Sequence, residues 1–171
     1  MCDLRDIAED TVRLLGERLV RQAPDKLKIG ADVPPVPGSR DLIQQILFNF
    51  LFNAAESMTG EKGILLSTSR LSALPGGLVL APQSAENYAA VSVQDRGCGI
   101  PREILPRIFE PFFTTKGMST RRGTGLGLSM VYELARKMGA GLAVESVVDV
   151  GSTFTLILPI KQVPPAAQSQ P

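Results

Sequence analysis

Histidine is absent from this 171-residue chain. That excludes His-ligated metal centres and every acid–base step run through an imidazole. Cysteine is scarce. Cys2 and Cys98 are the two present, and neither has a spaced mate to suggest a metal site or a disulfide framework. The expected setting is a reduced, cytoplasmic compartment. No stretch approaches the roughly 20 apolar residues of a membrane-crossing helix, and no signal peptide opens the chain. An excess of one charge is lacking too. The 18 basic and 17 acidic side chains leave a formal charge of +1. That balance gives no electrostatic reason to expect nucleic acid or a membrane surface as a partner.

What is present is enough apolar material for one self-sufficient core, 44% of residues. Asp3 is placed to cap a first helix, with Leu4, Ile7, Ala8, Val12, Leu15 and Leu19 at helical spacing behind it. Pro24 ends that run, and residues 26–30 read as a short strand. After the stiff Pro34, Pro35 and Pro37 connector, a second helix is expected from Ser39, a possible N-cap, to about Met58, with Gly60 as its breaker. Residues 64–70 and 88–95 read as strands. Between them, residues 74–87 hold Pro75, Gly76, Gly77 and Pro82 and read as a loop or splayed hairpin tip. Pro101 starts a short helical turn that Pro106 interrupts or follows. Residues 111–124 read as a mobile surface loop. A third helix is expected over about 126–138, stopped by Gly139 and Gly141. Strands over 142–147 and 152–158 follow, joined by a turn at 149–151. The Pro, Ala, Gln and Ser tail reads as a disordered end or linker. The order of elements indicates an α/β sandwich, one sheet covered on one face by helices.

Four constellations carry chemistry. On the second helix Gln45, Asn49 and Asn53 recur four residues apart, with Glu56 three further on. They form a polar stripe on a helix that Phe48, Phe50, Leu51 and Phe52 otherwise make apolar. Buried amides need partners, so the stripe either caps neighbouring loops or faces a cleft. In a cleft, amide oxygens suit Mg²⁺ shared with phosphates. Next, Asp95-Arg96-Gly97-Cys98-Gly99-Ile100 ends a strand. It is either an ordinary turn or a close-approach loop whose carboxylate accepts from an exocyclic amine such as adenine's. Third, Gly123-Thr124-Gly125-Leu126-Gly127-Leu128-Ser129 opens the third helix, where free N–H groups favour phosphate. It lacks the Gly-Lys-Ser/Thr ending of a P-loop and does not follow the first strand of a Rossmann unit. Fourth, residues 108–116 hold Phe109, Phe112 and Phe113 beside Lys116, with Arg121 and Arg122 beyond. They form either an anchor for a surface loop or the anchor of a lid over a nucleotide.

Taken in order, the Asn-bearing helix, Asp-x-Gly-x-Gly, the Phe box and Gly-x-Gly-x-Gly resemble the ATP-binding family shared by histidine kinases, gyrase-type ATPases and mismatch-repair ATPases. The likeness covers roughly residues 3–159. Phe109-Glu110-Pro111-Phe112-Phe113 and Gly123-Thr124-Gly125-Leu126-Gly127-Leu128 look like the sensor histidine kinase branch. The resemblance implies a two-layer α/β sandwich of the Bergerat type over residues 1–160, followed by a tail at 161–171. It implies ATP and Mg²⁺ as cofactors, with Asn53 as metal ligand and Asn49 and Lys116 as catalytic candidates at the phosphates. Asp95 would take the adenine amine, with Gly97, Gly99 and Ile100 shaping the pocket. Thr124, Gly125, Leu126 and Gly127 would meet the phosphates, and Thr153 would lie near the adenine.

Two departures refine that expectation. Hydrolytic relatives carry a water-activating glutamate where this chain has Asn49, and an amide is no general base. Some kinases carry a lysine where this chain has Glu56, which leaves Lys116, Arg121 and Arg122 as the cationic candidates. The implied partners are a histidine-bearing dimerisation hairpin of the same kinase and a response-regulator receiver domain. With no histidine of its own, the chain is expected to be an excised, monomeric piece of a longer kinase. An anti-sigma-factor-type serine/threonine kinase and a non-catalytic nucleotide-binding signalling module remain as alternatives.

Overall fold

The computed structural model describes residues 1–18, 26–30, 33–58, 63–113 and 127–160. Ten elements follow in chain order: α1 (Leu4–Arg18), β1 (Lys26–Ile29), α2 (Arg40–Ser57), β2 (Leu65–Leu71), β3 (Leu78–Leu80), β4 (Tyr88–Gln94), a 3₁₀ turn (Leu105–Arg107), α3 (Gly127–Lys137), β5 (Gly141–Val147) and β6 (Gly151–Pro159). Asp3 caps α1 as expected, its Oδ1 accepting from the Arg5 N–H at 2.8 Å. Ser39 takes the N-cap position of α2, but its side chain makes no capping bond. Pro106 lies inside the 3₁₀ turn, near its start, where its missing N–H would have had no partner anyway. Gly60, Pro24, Leu19 and the tail from residue 161 lie outside the described residues, as do Lys116, Arg121, Arg122, Thr124, Gly125 and Leu126.

The strands form one mixed sheet of order β1-β2-β4-β6-β5-β3. β1 pairs parallel to β2, and every other pairing is antiparallel. This is the expected α/β sandwich. Alternation along β4, β5 and β6 sends Val91, Val93, Leu142, Val144, Phe154, Leu156 and Leu158 to one face, where Ile43, Ile46, Leu47, Phe50 and Leu51 of α2 meet them. Leu4, Ile7, Ala8 and Leu15 of α1 and Val131 and Ala135 of α3 close the same core. The opposite face has a small cluster of Tyr88, Ala143 and Ile157.

Residues 74–87 depart from the loop reading. Leu78–Leu80 forms β3, an edge strand paired with β5 through a register shift. A three-residue strand flanked by Gly77 and Pro82 carries no period of its own, so only its partner reveals it. The second helix is also less enclosed than its four apolar side chains suggest. Phe50 is 1% exposed, but Phe52 is 38% exposed.

Phe50 is the joint between α2 and the sheet. Its ring lies 5.4 Å from that of Phe154, tilted by 38°. Truncating so buried an aromatic leaves a cavity the packed layers cannot close. Phe50→Ala is therefore expected to destabilise the fold by about 3–5 kcal/mol, and Phe52→Ala by under about 1 kcal/mol. Urea denaturation of both variants checks this, and equal midpoints would refute the assigned packing.

Candidate functional site

β4 delivers Asp95 to the end of the sheet. Its N–H donates to the Ser152 carbonyl at 2.9 Å, the last rung before the chain leaves the ladder. The side chain turns back under the loop and is 3% exposed. A carboxylate so enclosed needs donors, and two converge on one oxygen. The Gly97 N–H donates to Oδ1 at 2.8 Å, and the Ser57 hydroxyl donates to it at 3.0 Å. Oδ2 meets no donor among the described residues. Asp95 therefore presents one committed oxygen and one available acceptor.

The loop after Asp95 is wedged between two elements. On one side, the last residue of α2 accepts from it: the Cys98 N–H donates to the Ser57 carbonyl at 3.1 Å. A Cβ on Gly97 would lie 2.1 Å from Ser57 Oγ, so only glycine fits there. On the other side, the Asp149 N–H in the β5–β6 turn donates to the Cys98 carbonyl at 2.9 Å. Gly99 has φ +69°, and a Cβ there would lie 2.1 Å from the Val147 carbonyl oxygen. Both glycines are thus required by contacts inside the protein. Ile100 is half-buried, and its N–H donates to Ser146 Oγ at 2.8 Å.

The polar stripe of α2 runs from α3 to this loop. Gln45 Nε2 donates to Met130 Sδ at 3.4 Å. Asn49 Nδ2 donates to the Gln45 carbonyl at 3.0 Å, and Asn49 Oδ1 would lie 2.9 Å from a Cβ on Gly127, the first residue of α3. The amide stripe and the end of the glycine-rich segment therefore meet. Asn53 is the exception among these amides. Its Nδ2 is buried and has no hydrogen-bond partner among the described residues. An orphaned buried donor costs about 1–3 kcal/mol, so such a group calls for an explanation. Glu56, three residues on from Asn53, stays on the same face of α2 and is exposed. The residue that continues the four-residue spacing is Ser57. The sequence reading stopped at Glu56 and missed it, although the same periodicity points to it.

Thr153 is not brought to this cluster. It sits opposite Gln94 on β4 and Glu145 on β5, on the sheet face turned away from α2. Alternation puts Ser152 on the helix-covered face beside Phe154, 5% exposed. Its Oγ lies 2.8 Å from Ser146 Oγ, which also accepts from Ile100 N–H and donates to the Gly151 carbonyl at 3.1 Å. One hydroxyl carries one proton. Ser146 can give its proton to Gly151 or to Ser152, and when it gives it to Gly151 the Ser152 hydroxyl can donate to Ser146. The Phe box bounds the same end of the molecule. Phe109 is buried, 6.1 Å from the Tyr132 ring, and the Arg107 guanidinium lies 4.8 Å from the centre of Phe113. Phe112 is 74% exposed and has φ 63°, a strained conformation for a non-glycine residue.

Among the described residues no group of three or more acidic or thiol side chains could hold a metal ion alone, and no helix is long and apolar enough to cross a membrane. A cleft of about 480 Å³ lined by Gly38, Gln83, Glu86, Met138 and Ile160, among others, lies at the other end of the strands from Asp95.

Comparison with known proteins agrees with this geometry. The sensor kinase CckA of Brucella abortus is 35% identical over 158 residues, covering 92% of this chain and 16% of that protein. The signal transduction histidine-protein kinase AtoS of Escherichia coli is 32% identical over 158 residues, covering 92% of this chain and 23% of that protein. The chain thus spans less than a quarter of the length of either relative. Among solved structures, the nucleotide-free catalytic domain of the histidine kinase ThkA superposes with a TM-score of 0.70 at 25% identity, covering 92% of this chain and 95% of that one. Full-length ShkA in complex with AMPPNP gives 0.71 at 26% identity, covering 94% and 31%. Residues 38–162 match the family model of histidine kinase-, DNA gyrase B- and HSP90-like ATPases, and the chain belongs to that family.

Proposed function

We propose that this chain is the ATP-binding catalytic domain of a two-component sensor histidine kinase. It would hold Mg-ATP and pass the γ-phosphoryl group to a histidine on a helical hairpin elsewhere in the kinase. One observation carries the reading. A buried carboxylate with one free acceptor, Asp95, is held by Ser57 at the end of α2, and one helical turn back along α2 the buried Nδ2 of Asn53 has no partner among the described residues. Asn53 and Ser57 are about 6 Å apart along the helix, so α2 carries an amide toward one end of a nucleotide and, through Ser57, supports the carboxylate toward the other. ShkA binds AMPPNP on the same fold, and the relatives with sequence likeness are sensor kinases.

Asp95 Oδ2 is assigned to the adenine amine, an acceptor facing a donor. Ser152, on the helix-covered face, is assigned the strand position beside the base that the sequence suggested for Thr153. Asn53 fits Mg²⁺ through its Oδ1, a hard oxygen ligand, while its buried Nδ2, without a partner among the described residues, would donate to a phosphate oxygen. When bound, the ion supplies neutralisation of phosphate charge. Asn49, packed on Gly127, lies where the phosphates approach α3. Its amide takes no proton from water, so the site favours holding ATP for transfer over hydrolysing it. Lys116, Thr124, Gly125 and Leu126 remain candidates for the phosphate end. A receiver domain is the onward partner, and the cytoplasm the compartment that supplies ATP.

Asp95→Ala removes a charge-assisted acceptor worth roughly 1.5–3 kcal/mol, so ATP affinity is expected to fall about tenfold or more. Titration calorimetry on the folded variant measures it, and unchanged affinity removes Asp95 from the site. Asn53→Ala is expected to weaken ATP binding in Mg²⁺ more than in a chelator. Equal loss in both conditions would make Asn53 a structural amide.

The reaction itself is tested with radiolabelled ATP. The chain alone, lacking histidine, is expected to remain unlabelled and to turn ATP over slowly. Adding a histidine-bearing hairpin from the intact kinase is expected to give acid-labile label on the hairpin, at a rate lowered by the loss of covalent attachment. Acid-stable label on a serine or threonine would indicate an anti-sigma-factor-type kinase instead. Rapid hydrolysis would show that Asn49 does not set the outcome.

A further inference from the structure

We infer that Ser57 is a positioning residue that fixes the free oxygen of Asp95 and so sets the selectivity of the site for a purine with an amine at its 6-position. This rests on the ATP reading above and adds a residue that the sequence motifs do not include. An unrestrained aspartate carboxylate is two-fold symmetric and can turn about its last torsion. In this site Oδ1 is pinned from two directions, by the Gly97 N–H at 2.8 Å and the Ser57 hydroxyl at 3.0 Å. Pinning one oxygen aims the other, and an aimed acceptor discriminates between a donor and an acceptor on the base.

Ser57 is held for this task by three further contacts. It is the last residue of α2, and its carbonyl accepts from the Cys98 N–H at 3.1 Å, so the helix end and the loop move together. Its Cβ and Oγ fill the space in which a side chain at position 97 would sit. Its hydroxyl also lies 2.8 Å from the Ala54 carbonyl. The single hydroxyl proton therefore has two acceptors, and only one can hold it at a time. When the proton points to Asp95, the carboxylate has both of its anchors. When it points to Ala54, Gly97 alone holds Oδ1. Base binding at Oδ2 favours the first arrangement, because only then is the carboxylate fixed at the angle the amine needs.

Ser57→Ala removes the hydroxyl and leaves the carbonyl contact and the Gly97 packing in place. ATP affinity is expected to fall about three- to tenfold. Affinity for purine riboside triphosphate, which has no substituent at the 6-position, is expected to stay unchanged. The preference for ATP over that analogue should shrink by the same factor. In an Asp95→Ala background the Ser57 effect should vanish, since the two residues act through one bond. In the nucleotide-free domain, hydrogen exchange at the Gly97 amide should speed up in Ser57→Ala, because its acceptor is less well held. Equal weakening of both nucleotides would show a merely structural role and overturn the inference. So would unchanged ATP affinity, or a Ser57 effect that persists without Asp95. Failure of the wild-type chain to bind either nucleotide would overturn the ATP reading and the selectivity with it. The Gly97 exchange rate would still decide whether Ser57 holds the carboxylate.

Discussion

The rest of the site depends on one junction, where the C-terminal end of α2 meets the loop that leaves β4. Helix ends expose carbonyls and strand ends expose backbone groups on both sides, and both must find partners. Here each serves the other. The Ser57 carbonyl takes the Cys98 N–H, and the Ser57 hydroxyl and Gly97 N–H take Asp95 Oδ1. The junction therefore satisfies two chain ends and orients a carboxylate in one arrangement. It works because position 97 has no side chain, as a Cβ would displace Ser57 itself.

That junction is kept rigid by what lies behind it. Phe50, about two turns upstream of Ser57, anchors α2 on Phe154 of the central strand β6. β6 in turn holds Asp95 through the Ser152 carbonyl and Ile100 through the Ser146–Ser152 hydroxyl pair. Helix and sheet are thus fastened independently to the core, and the loop is fixed to both. A carboxylate supported in this way loses little freedom when a ligand meets it, which is the physical content of preorganisation.

Against that rigid background two features are locally unfavourable. The Asn53 Nδ2 is buried without a partner among the described residues, and Phe112 holds a positive φ while largely exposed. Each carries a cost on the order of 1–3 kcal/mol, small beside the burial of the α2 face but not negligible in a marginally stable domain. The Asn53 orphan lies on the polar stripe of α2. For Phe112 the structure gives the strain and the exposure, at the edge of the Phe box.

The sequence by itself determined the class of the fold and marked segments that the structure brings together, the α2 amides, the Asp95 loop and Gly127. Apolar periodicity marked α1, α2 and α3 and the strands β2, β4, β5 and β6, because each buries one face along enough residues for a period to show. Glycines and a lone aspartate at a strand end marked the loop, and the spacing of Asn49 and Asn53 marked the helix face. Tertiary structure alone decided the rest. β3 is too short to carry a period and exists through its pairing with β5. Which strand hydroxyl joins the helix-covered face depends on register, and one residue of register exchanges Thr153 for Ser152. Ser57 acquires its role from a bond across 38 residues of sequence. At Gly97 and Gly99, which the sequence offered either as an ordinary turn or as close-approach glycines, the fold leaves room for Ser57 and Val147. Each of these turns on a contact between segments distant in the chain, and local sequence constrains what a residue can bond to but not what the fold will bring beside it.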